Sequence, residues 1–175
     1  PGCKQAVLYA MMATLDVGDE VLVLSPAWPS YDGMLKLINA VPVHVPVNRK
    51  NYHPDFNALE AAITPKTKAI MLNSPNNPTG AVYTPEEIER IVQFAIKHDL
   101  WIIDDMIYAT LVWADYPYTS PAALPGGAER TLTVGGWSKG WAMTGWRLGW
   151  IAGPKEVMDG VKKINVSAAT HVATF

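Results

Sequence analysis

Only one cysteine occurs in the 175 residues, Cys3, so an internal disulfide is excluded. That usage fits a reducing compartment, and the expectation is a cytoplasmic protein. Lysine and arginine form no cluster and the formal net charge is only -2, which removes the electrostatic case for nucleic acid or an anionic membrane as partner. No apolar run approaches the ~20 residues of a membrane span, and no signal-peptide pattern stands in the first residues. The histidines His44, His53, His98 and His171 show neither i,i+4 pairing nor a nearby cysteine, so no structural metal site is expected. G-x-G-x-x-G and Walker-type loops are also missing, which leaves a nucleotide-binding domain without support. The expected partner is a small molecule.

Apolar residues make up 49% of the chain and charged residues 17%, the balance of a globular protein rather than a disordered or fibrous one. A chain of this size suits one domain and buries roughly 70% of its unfolded surface. Pro1 is not an initiator methionine, and residues 172–175 end without a cap. Both ends read as cuts in a longer protein.

Short β-branched runs alternate with segments of helical period, the rhythm of an α/β protein: a mostly parallel sheet flanked by helices in three layers. The strand candidates are residues 20–24, 41–47, 69–72, 100–104, 131–134 and 147–152, read as mostly buried on both faces. Helix candidates are 3–15, 29–38, 55–63 and 154–164, together with the helix announced by Thr84-Pro85-Glu86-Glu87. That last segment offers an N-cap, a proline at the first helical position and a glutamate three residues on, with Ile88, Ile91, Val92 and Ala95 on one face. Residues 114–130, with Pro117, Pro121, Pro125 and the pair Gly126-Gly127, read as a long surface loop.

In an open parallel sheet, ligands bind beyond the carboxyl ends of the strands. Three strand candidates end in chemistry-bearing segments: Asn73-Ser74-Pro75-Asn76-Asn77-Pro78-Thr79-Gly80, then Asp104, Asp105 and Tyr108, then Gly135-Gly136-Trp137-Ser138-Lys139. One mouth would gather an amide, carboxylates, a phenol and an amine. Taken alone, each has a plainer use. A lysine past a strand is usually a solvated charge, adjacent acids cap a following turn, Asn-Pro-Thr-Gly is an ordinary turn, and a lone tryptophan belongs to a core.

Taken together, 74–80, the Asp105…Tyr108 pair and Ser138-Lys139…Thr144-Gly145-Trp146-Arg147-Leu148-Gly149 resemble the signature segments of class I/II aminotransferases, of fold type I among pyridoxal-phosphate enzymes. Gly2-Cys3-Lys4-Gln5-Ala6 and the run from Gly18 to Tyr31 resemble the family too, so the similarity covers nearly the whole chain.

The resemblance implies that Lys139 forms a Schiff base with pyridoxal 5'-phosphate and later moves protons between carbons. Asp105 would keep the ring nitrogen protonated; Asp104 competes for that role, since adjacent strand residues face opposite ways, and the family's spacing to the tyrosine selects Asp105. Asn77 and Tyr108 would bind the phenolic oxygen, and Trp28 would stack on the ring. Arg147 and the backbone N–H groups of Cys3 and Lys4 would grip the phosphate, against the plainer readings of a surface ion pair and a frayed chain end. Gly136 stands where many members have a phosphate-binding serine, so that either Ser138 compensates or the phosphate loses a contact, and Met106 stands where a glutamate is common.

The implied protein is an aminotransferase exchanging nitrogen between an amino acid and a 2-oxo acid, a homodimer at full length. Residues 1–175 would be an incomplete cofactor-binding large domain, lacking an edge strand before Gly2 and a smaller substrate-binding domain, and inactive by itself. Two alternatives share these motifs: a C-S lyase or decarboxylase of the same fold, and the aminotransferase-like sensing domain of a transcription regulator.

Overall fold

The computed structural model describes residues 1–173 and alternates helices with strands. In order these are α1 (Gly2–Thr14), β1 (Glu20–Ser25), α2 (Ser30–Leu37), β2 (Val41–Pro46), α3 (Phe56–Ala61) and β3 (Thr67–Leu72). There follow α4 (Pro85–Lys97), β4 (Trp101–Asp105), β5 (Thr131–Gly136), β6 (Gly149–Ala152) and α5 (Lys155–Ala168). Thr174 and Phe175, on which part of the reading of the chain end falls, lie outside the described residues.

One six-stranded sheet has the order β2-β1-β3-β4-β5-β6, parallel except for the β5–β6 pair. The two-residue period of a strand sorts its side chains between two cores. Val21, Val23, Ala69, Met71, Ile103, Leu132 and Val134 enter one core with α1 and α2, and Val157 and Met158 of α5 pack against it. Leu22, Leu24, Ile70, Leu72 and Ile102 enter the other with Leu59 of α3 and the apolar stripe of α4. This is the expected three-layer arrangement, and burying each such side chain contributes roughly 1.5–3 kcal/mol.

The expectation of strands buried on both faces fails at the sheet margins. Central β1 and β3 are buried almost throughout, but β2 and β6 alternate or face solvent, because an edge strand has a neighbour on one side only. Residues 147–152 do not form a strand from their start. Arg147 takes a left-handed conformation (φ 52°) at the end of a 3-10 turn, and β6 begins at Gly149. The loop 114–130 also holds a short 3-10 turn at Pro121–Ala123, with Pro121 buried and Leu124 packed on the α4 core.

The start of α4 is as expected. Thr84 Oγ1 accepts from Glu87 N–H at 3.2 Å while Glu87 Oε2 accepts from Thr84 N–H at 2.8 Å, with Pro85 in the first turn. Thr84→Ala is expected to cost about 1 kcal/mol of stability in denaturant unfolding, since one of the helix's free N–H groups loses its acceptor.

Candidate active site

Parallel strands deliver their carboxyl ends to one side of the sheet, and the antiparallel β6 delivers its beginning there. The connection 137–148 therefore stays at that side, carrying Ser138, Lys139 and Arg147 together. All the residues singled out in the sequence, Cys3, Lys4, Trp28, Asn77, Asp105, Tyr108, Ser138, Lys139 and Arg147, line one cavity of about 320 Å³. A wider cavity of about 610 Å³ shares Asn77 and Tyr108 with it, but its other walls bring no second amine or acid.

Asp105 ends β4 on the face that also buries Ile103, and is itself 3% exposed. Its Oδ2 accepts from the Tyr31 hydroxyl at 2.8 Å; its Oδ1 accepts from Ile107 N–H at 3.3 Å and from the Cys3 thiol at 3.4 Å. Burial pushes the Asp105 carboxyl above the usual carboxylate range, opposed by these donors. Burial and the nearby Asp105 charge likewise push the Cys3 thiol far up, so Cys3 is a hydrogen-bond donor here rather than a nucleophile.

An amide relay runs beside the acid. Asn73 donates from Nδ2 to the Asp105 carbonyl at 2.8 Å and accepts from Asn77 N–H at 2.8 Å. Asn77 Nδ2 in turn donates to the Tyr108 hydroxyl at 3.4 Å, and burial followed by the Asp105 charge pushes that hydroxyl's pKa up. Tyr31, Asn73 and Thr144 also line the cavity without having been singled out as ligands. Asn73, the first residue after a strand, was the available signal.

Trp28 presents a flat ring with the Lys4 Nζ 4.8 Å from its centroid and Tyr31 edge-on at 5.3 Å. Lys139 is exposed and makes no ion pair among the described residues. Arg147 donates from Nη1 to the Thr144 carbonyl at 2.8 Å, and its guanidinium rests against the start of α1, where a Cβ at Gly2 would lie 2.6 Å from Nη2. The first-turn N–H groups of Cys3 and Lys4 have no intrahelical acceptor, and with the Arg147 cation they form an end of the cavity with the chemistry to attract an anion.

Gly136 has a steric reason. A Cβ there would meet the Leu148 carbonyl oxygen at 2.8 Å, Ile107 Cδ1 at 3.3 Å and Cys3 Cβ at 3.4 Å, so the serine common in the resembling family has no room. Gly136→Ser is expected to destabilise the protein by roughly 1–3 kcal/mol, as overpacking does. A thermal midpoint equal to wild type would show that the backbone yields.

An anion end, a buried carboxylate, a flat ring, a phenol–amide pair and an unpaired amine suit a planar ligand that is anionic at one end and electrophilic at the other. The chain belongs to the family of class I and II aminotransferases, whose family model matches residues 1–173 and whose members generally depend on pyridoxal phosphate. It is 45% identical to the aspartate aminotransferase of Musicola paradisiaca, over 100% of this chain and 44% of that protein. With the aspartate/prephenate aminotransferase of Thermus thermophilus it shares 42% identity, over 99% of this chain and 45% of the relative. The solved aromatic aminotransferase of Pyrococcus horikoshii superposes with a TM-score of 0.96 at 40% identity, covering 99% of this chain and 47% of that one. The fold is thus the mostly parallel sheet of fold type I aminotransferases, and the chain spans less than half the length of these relatives.

Proposed function

We propose that the whole protein is an aminotransferase that moves an amino group from an amino acid to a 2-oxo acid, and that residues 1–175 form its pyridoxal-phosphate-binding large domain. The observation that carries this reading is the meeting of Lys139, Asp105, Arg147 and the Asn77–Tyr108 pair on one cavity. The donor set fits the cofactor at each end. The α1 N-terminus, Arg147, Ser138 and Thr144 would hold a phosphate, and Asp105 would face a ring nitrogen.

Bound pyridoxal phosphate supplies an electron sink for the charge that develops on the substrate carbon. The chain's own residues do the rest. Asp105 would hold a proton at the ring nitrogen, since a buried carboxylate gains from an opposite charge beside it. Asn77 and Tyr108 would donate toward the phenolic oxygen, and Trp28 would cover one ring face. Lys139 would hold the cofactor's aldehyde end through its amine and would serve as the proton carrier beside it. A second copy of the chain and a smaller domain would complete the substrate site.

The names of the relatives make aspartate the first amino donor to test. Mixing the whole protein with cofactor and aspartate should change the cofactor absorbance, and a 2-oxo acid should reverse that change. Release of ammonia and pyruvate without reversal would instead assign a lyase, and no spectral change with any amino donor would count for a sensing domain.

A further inference from the structure

β4 ends in two acids that face opposite ways. Asp105 points to the α1 side, whereas Asp104 continues the face of Ile102, on the side of α4, and is 0% exposed. Their surroundings differ sharply. Asp105 accepts from a hydroxyl, a backbone N–H and a thiol. Among the described residues, Asp104 Oδ2 accepts only from the Tyr118 hydroxyl and its Oδ1 has no partner. No cation pairs with Asp104 among those residues.

A carboxylate buried with one donor is costly, while a neutral carboxyl group in the same place loses far less on leaving water. Two adjacent buried acids also resist ionising together, and the one with more donors ionises first. By that comparison Asp105 takes the charge and Asp104 keeps its proton. Burial pushes Asp104 up to about 7, the Tyr118 hydroxyl pulling it down and the Asp105 charge adding to the rise. Among the described residues, the titratable group that faces Asp104 is Tyr118 from the loop, with Asp105 beside it on its own strand and turned the other way.

The Tyr118 bond also has a mechanical side. Tyr116, two residues earlier, donates to the Val82 carbonyl at 2.9 Å, so the segment after Tyr108 is tied once to the turn before α4 and once to the end of β4. Loss of the second tie frees the chain that follows Asp105 and Tyr108.

We propose that Asp104 is a positioning residue that works as a neutral carboxylic acid, anchoring Tyr118 against the end of β4 and leaving Asp105 the single negative charge facing the cofactor's ring nitrogen. The role rests on the proposed function, but the protonation state can be read without it. In infrared difference spectra of the whole protein near pH 6, below the value of about 7 to which burial pushes Asp104, wild type should show a protonated-carboxyl band that Asp104→Asn lacks. At the same pH, Asp104→Ala, which drops the Tyr118 anchor, should weaken pyridoxal phosphate binding about tenfold or more, and Asp104→Asn, which keeps an acceptor for that hydroxyl, should restore it to within about twofold of wild type. Absence of the band overturns the proposal, as does an Asp104→Asn protein that binds no better than Asp104→Ala, or an Asp104→Ala protein that binds as wild type does. A wild-type protein that binds no pyridoxal phosphate overturns the proposed function and the positioning role with it, while the infrared band still reports the state of Asp104 independently.

Discussion

Lys139→Ala in the whole protein is expected to lower turnover by roughly four orders of magnitude or more, because in the proposed function one side chain would provide both the nucleophilic amine and the proton carrier. Borohydride reduction of wild type in the presence of pyridoxal phosphate should place the label on Lys139, and the variant should take up none. The outcome is open to a specific challenge. Lys4 lines the same cavity, with its ammonium 4.8 Å from the Trp28 ring centroid, and is the other amine within it. A label on Lys4 would reassign the role. Stability should stay within about 0.5 kcal/mol, since the Lys139 side chain is exposed and has no ion-pair partner among the described residues, and exposed positions tolerate truncation. A large fall in the thermal midpoint would instead mark Lys139 as structural.

Asp104→Asn should reshape the dependence of stability on pH. In the unfolded chain an aspartate ionises near ~3.9, whereas the folded protein holds the Asp104 proton up to about 7. Below the lower value both states are protonated and the residue has no pH effect. Between the two values the unfolded state releases a proton that the folded state keeps, so folding loses stability as pH rises, and the loss is complete above the upper value. A rise of that size corresponds to roughly 4 kcal/mol. Asparagine does not titrate, so the stability difference between variant and wild type should move in the variant's favour by that order between about pH 4 and pH 8. A difference that stays constant with pH would mean that Asp104 titrates alike in both states.

The readable parts of the site were those set by local order. Each parallel strand hands the chain to the same side of the sheet, so segments that follow strands in sequence meet in space; strand order points to the segments, and the family resemblance singles out Asn77, Asp105, Tyr108 and Lys139 within them, which line one cavity. The assignment of Asp105 over Asp104 followed from the two-residue strand period together with the family spacing, and the structure places the two acids in different cores as that period requires. What escaped were long-range fits. Tyr31 reads locally as a buried helix residue, and its bond to Asp105 spans 74 positions. The reason for Gly136 lies in Leu148, Ile107 and Cys3, drawn from three separate stretches of chain. The apolar run makes residues 147–152 read as a strand that includes Arg147, and nothing local announces the left-handed backbone of Arg147. The connection 137–148 did hold a clue: it contains no full helix, and a parallel crossover needs about a dozen residues, usually with one.

The two acids at the end of β4 also act as a gauge of how the strand is threaded. Deleting or inserting one residue in β4 would leave the composition of the site almost unchanged, yet it would exchange the two carboxyl groups between cores. The acid with three donors would then sit above α4, and the poorly supported one would enter the cavity. A frameshift of pairing by a single position, invisible to any inventory of residues, is thus sufficient to move the charge away from the ligand.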